Sequence, residues 1–154
     1  EKLIKKPPHS QPSPWLWAAS KGAARTKLWN EVSGFVDVYN ARFGVYDTLA
    51  ILPCWHLHPV VVEEVTALML SWRSSHYGHK VPTIDPNYWL QNFLYPTIAR
   101  IRSEPWGQTR CSTNSHEDMA KSLAPRRDME AFAAHIEKDV AAHPPADLDP
   151  SPAE

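Results

Sequence analysis

Two cysteines and two histidines carry the clearest chemical signal in this 154-residue chain. Cys54 stands four residues before His58, and Cys111 stands five residues before His116. Zinc takes four tetrahedral sulfur and nitrogen ligands, and a gap of two to five residues within each ligand pair is usual. The metal ligands predicted from these residue types and spacings are therefore Cys54, His58, Cys111 and His116, and the cofactor is a structural zinc. Each pair alone is unspecific; together they use both cysteines of the chain. His56 is a spare candidate ligand, but its offset of two residues makes use together with His58 strained on a regular helix. Three other readings stay open: ordinary buried thiols, a His58 that only caps a helix, and a disulfide if the chain is extracellular.

A catalytic zinc needs an open coordination position and a nearby base. Four protein ligands leave none, and the sequence holds no H-E-x-x-H, Walker, G-x-G-x-x-G or G-x-S-x-G pattern. Glu63 and Glu64 would serve as bases only if one ligand were missing. No catalytic residue and no organic cofactor are predicted, and a metal-dependent hydrolase is the least favoured function.

A shared ion must be held by elements that bring residue 54 near residue 111. The best supported is a helix over 59–76. Pro59 suits its first position, where a missing N–H costs nothing. Val61, Val62, Val65, Leu68, Met69 and Trp72 share one side, and Glu63 and Glu64 are assigned to its first turn, with Arg73 and His76 in its last. A helix over about 29–48 is read from Phe35, Val38, Tyr39, Phe43, Tyr46 and Leu49, with Gly44 marking a kink or an early end. A third helix over 86–102 has Asp85 as cap and Trp89, Phe93, Leu94, Ile98 and Ile101 inward, with Pro96 kinking or dividing it. A short helix over 15–24, ending near Gly22, carries Trp15 and Trp17. A last one over about 125–142 turns Met129, Phe132, Ala133, Ile136 and Val140 inward. The fold class is mainly α: a small bundle of three to five helices that a structural zinc would close.

The ends read differently. Residues 1–14 form a basic, Pro-rich arm and 143–154 an acidic tail, both expected to be disordered, flanking one helical domain over 15–142. Residues 1–30 carry six Lys and Arg against Glu1 alone, while the formal net charge of the whole chain is −1. That balance argues against a dedicated nucleic-acid binder. It leaves nucleic acid as an alternative partner through residues 1–28, with an unknown protein as the preferred one. No run approaches 18 apolar residues, so no membrane span is expected. Lys2, Lys5 and Lys6 precede Pro7 and Pro8 where a signal peptide would be apolar, so the expected location is cytoplasmic.

The run Pro53-Cys54-Trp55-x-x-His58-Pro59, followed by Val62-Glu63-Glu64, Ala67-Leu68 and Ser71-Trp72-Arg73, resembles a family of actinobacterial proteins of unknown function. Members are met near plasmid, phage or conjugative-element genes. Trp89, and later Trp106, Cys111 and His116, also match, so the resemblance spans about residues 28–116. It departs from the family at Asn114-Ser115-His116, where members have Gly-His, and at Trp89-Leu90, where they have Trp-His. The resemblance implies a helical fold and a mobile-element setting and brings no activity, substrate or partner.

Overall fold

A computed structural model describes residues 11–118 and 128–145. The described residues fall into two compact units, one up to residue 118 and one from residue 128. Both are helical, and they contain no strand. Residues 1–10 of the expected 1–14 arm, 146–154 of the expected 143–154 tail and 125–127 of the expected last helix lie outside the described residues. No helix among those described is long and apolar enough to cross a membrane.

In the first unit, α1 covers Gly22–Phe43, α2 Pro59–His76, α3 Asp85–Trp89 and α4 Tyr95–Ser103. α2 begins and ends where the sequence places it. Its early carboxylates do not: the first turn holds no acidic residue, because Glu63 and Glu64 are the fifth and sixth helical positions. Gly22 opens α1 instead of closing a short helix. It sits at φ +56°, a conformation a side chain would strain. Only Trp17–Ala19 before it is helical, as a 3-10 turn. α1 stops at Phe43 with Gly44 as its C-cap, so of the two outcomes expected at Gly44 the early end is the one found, five residues before position 48.

The α1 face is also rotated from the predicted one. Leu28, Val32, Phe35, Val36 and Tyr39 are buried, whereas Val38 and Tyr46 are exposed. The core joins this face to Val61, Val65, Leu68 and Met69 of α2 and to Trp89, Leu94, Ile98 and Ile101. Trp17 belongs to it: only 6% exposed, it donates its indole N–H to Thr66 Oγ1 at 2.9 Å. A second cross-helix tie runs from the Trp89 indole N–H to Ser71 Oγ, also 2.9 Å.

The predicted third helix is continuous but not uniform. α3 passes into a π-helical turn over Leu90–Leu94 and then into α4. Pro96 has no N–H for the Asn92 carbonyl, and its ring would collide with that carbonyl in a regular helix. The widened turn sits where that conflict falls, as π turns within helices do. Asp85 lies inside α3 instead of capping it, the cap position being Ile84. Phe93 is 39% exposed, since the π turn shifts its face.

The second unit is α5, Met129–Ala142, with Asp128 Oδ1 accepting from the Ala131 N–H at 3.0 Å. Met129, Phe132, Ile136 and Val140 are all exposed, not inward. Ala133 is exposed too.

Candidate metal centre

Between α1 and α2 the backbone pairs with itself only in short turns, including 3-10 turns over Asp47–Leu49 and Pro53–Leu57, and side chains hold the rest. Tyr39 donates its hydroxyl to the Leu49 carbonyl at 2.7 Å. The Asn40 amide pairs with both backbone groups of Ile51, at 2.9 and 3.0 Å. The Gln108 amide does the same for Leu52: Oε1 accepts from its N–H at 3.2 Å, and Nε2 donates to its carbonyl at 3.1 Å. Two amides from distant elements thus grip two consecutive residues. Immediately after them, Pro53–Leu57 forms a 3-10 helix that carries Cys54, and His58 follows at the start of α2.

The second half of the site is held by the end of α4. The Gln108 N–H donates to the Ile101 carbonyl at 2.7 Å, and the Cys111 N–H donates to the Gln108 carbonyl at 3.0 Å. Gly107 is needed for this approach. A Cβ there would lie 2.1 Å from the Ile101 carbonyl oxygen. Ser112 and Ser115 then pair across a tight turn that returns His116 to Cys111.

The result is convergence. One ligand atom from each of Cys54, His58, Cys111 and His116 lies within 4.8 Å of all the others. His58 Nε2 is 3.5 Å from both Cys54 Sγ and Cys111 Sγ, and His116 Nδ1 is 3.8 Å from Cys111 Sγ. Zinc–sulfur and zinc–nitrogen bonds of about 2.3 and 2.0–2.1 Å make the sulfur–nitrogen edge of a tetrahedron about 3.6 Å. Three of the six edges therefore have near-tetrahedral lengths. Cys54 and His58 are buried, Cys111 is half-buried, and the His116 side chain is 24% exposed. The group is inset at the surface, beside a cavity of about 270 Å³ lined by Pro53, Leu57 and the 112–115 turn.

Burial works against the charged forms of both Cys54 and His58. Burial raises the Cys54 thiol above its ordinary range, with the neighbouring Cys111 adding to the effect and a hydrogen bond from Gln108 opposing it. Burial also lowers His58, helped by His116 and His56 and opposed by Asp118. His58 is thus held neutral, the form whose lone pair can ligate. A divalent ion with two thiolates has no net charge, which removes the penalty for burying the thiolates unpaired.

Of the other readings, His58 as a helix cap finds no support. His58 occupies the N-cap position of α2, but its side chain makes no capping hydrogen bond. Its Nδ1 is buried without a hydrogen-bond partner, which costs about 1–3 kcal/mol. The 1% exposed histidine instead meets two sulfurs at Nε2 and the His116 ring, whose centroid is 5.0 Å from its own. Both cysteines are free thiols. His56 is exposed, its ring set at 82° to that of Trp55, and it is not one of the four that converge.

Two supporting groups were not predicted. Asp118 Oδ1 accepts from His116 Nε2 at 2.9 Å, which turns His116 Nδ1 toward Cys111. Its offset of two residues from His116 was a visible signal, since ligand histidines commonly lean on a carboxylate. Gln108 gave none, because a polar residue in an irregular loop carries no mark of burial. No protein-family model, curated protein or solved structure matches the chain.

Proposed function

We propose that this chain is a non-catalytic helical module, stabilised by a structural zinc, that serves a mobile genetic element as a protein-interaction accessory. The convergence of Cys54, His58, Cys111 and His116 carries the metal-stabilised part of this reading, and the mobile-element setting rests on the resemblance around Pro53–Pro59. Two thiolates and two imidazoles favour zinc over calcium or magnesium, which prefer oxygen ligands. Four protein ligands close the coordination shell, so the ion ties the segment before α2 to the loop after α4 and leaves no position for substrate.

The interaction role is supported by the surface of the first unit. Trp15, Tyr77, Ile84, Tyr88 and Tyr95 are exposed, and large aromatic side chains are enriched where proteins meet. Trp17 does not contribute, being part of the core. The nucleic-acid alternative rests on the basic residues before position 29. Of these, Arg25 is already engaged with the Trp17 carbonyl at 2.9 Å, and Lys27 pairs with Glu31 at 3.9 Å.

X-ray absorption at the zinc edge tests the reading. The expected shell is two sulfurs at about 2.3 Å and two nitrogens at about 2.0–2.1 Å. A shell with a water oxygen and only three protein ligands would instead favour the hydrolase.

A further inference from the structure

Gln108 connects the two halves of the site more fully than any ligand does. It is 1% exposed, and all four of its hydrogen-bonding groups are used. Its backbone joins the Ile101 carbonyl to the Cys111 N–H, and its side chain takes both backbone groups of Leu52. That double pairing fixes which end of the amide is nitrogen. The same Nε2 then lies 3.5 Å from Cys54 Sγ, within the reach of an N–H···S hydrogen bond.

We infer that Gln108 is the positioning residue of the metal centre: it sets the Cys54 sulfur by an N–H···S bond and holds both ligand loops in register before the ion arrives. The inference rests on the reading of the four side chains as metal ligands and adds a role for a residue that is not one. An N–H donor withdraws electron density from a thiolate and points its lone pairs, so it tunes the metal–sulfur bond as well as placing it. A side chain that merely filled space would do neither. Gly107 supports the role by letting the loop press against α4, which a β-carbon would prevent.

Gln108→Met keeps the volume and removes every side-chain donor. With cobalt(II) in place of zinc, the variant should show its sulfur-to-cobalt charge-transfer band at lower energy than the native chain. Its zinc affinity should fall about 10-fold or more, the usual effect of losing an outer-shell partner. An unchanged band and unchanged affinity would overturn the inference. Should the variant fail to fold, the native chain loaded with ¹¹³Cd gives the same answer. A scalar coupling from cadmium to the Gln108 side-chain amide proton supports the bond; its absence, while the Cys54 β-protons couple, overturns it. A native chain that takes up none of the three metals defeats the zinc reading itself, a result distinct from either of these.

Discussion

At the scale of single residues, the strongest constraints lie in groups that hold backbone. Gly107 has no room for a side chain: Gly107→Ala puts a carbon 2.1 Å from the Ile101 carbonyl and must displace the loop that carries Cys111. The expected loss is about 3 kcal/mol, read from urea unfolding, since forced overpacking costs about 1–3 kcal/mol and backbone oxygen yields poorly. Tyr39 gives a pH prediction. It is buried and donates to the Leu49 carbonyl, and burial raises its hydroxyl far above the ordinary tyrosine range, with Tyr95 adding to the effect. An acid whose folded pKa is raised contributes fully below its unfolded value and loses that contribution above it. Stability should therefore decline from about pH 10 upward, and Tyr39→Phe should flatten that decline. An equally steep alkaline loss in the variant would assign it to other groups. The four clustered side chains belong to this scale too, and their grouping was legible because the chain has only two cysteines, each with a histidine four or five residues on. Asn40 and Gln108 were not. Their importance comes from Ile51 and the Leu52 N–H, for which they supply the partners, a need only the tertiary arrangement reveals.

At the scale of elements, α2 was legible to its ends because its local signals agree: Pro59 at the first position, an apolar face, and Arg73 and His76 near its close. In α1 the aromatic spacing continues to Tyr46 and Leu49, but Gly44 ends the helix, the early end that its sequence position allowed. The inward assignment of Val38 failed for a related reason. Periodicity gives a face but not its centre, and the partners Val61, Val65 and Met69 decide that. For the α3–π–α4 run, Pro96 signalled an interruption but not its form, since a kink and a widened turn both relieve the clash. Trp89 welds this run to α2. Trp89→Phe keeps most of the burial and deletes the indole bond to Ser71, so it should cost about 1 kcal/mol. Trp89→Ala should cost about 3–5 kcal/mol. Near-equal losses in the two variants would show that the hydrogen bond, not the packing, dominates.

At the scale of the whole molecule, an all-helical fold followed from helical periodicity and the scarcity of strand signals. The closure by a metal depends on four side chains that meet only after the chain has folded. Their ion would bind the folded state and not the unfolded one, so it would act as part of the folding free energy. Cys111→Ser removes one thiolate and should reduce bound zinc from about one per chain to nearly none. The same change on the ligand-free protein should alter stability little. The most direct measurement is metal analysis of the purified chain joined to thermal unfolding with and without a chelator. About one zinc per chain is expected, with a melting temperature that falls by about 10 °C or more on chelation and returns when zinc is restored. Protein that is isolated without metal, takes up no added zinc and melts identically with chelator would contradict the claim that a zinc clasp closes this fold.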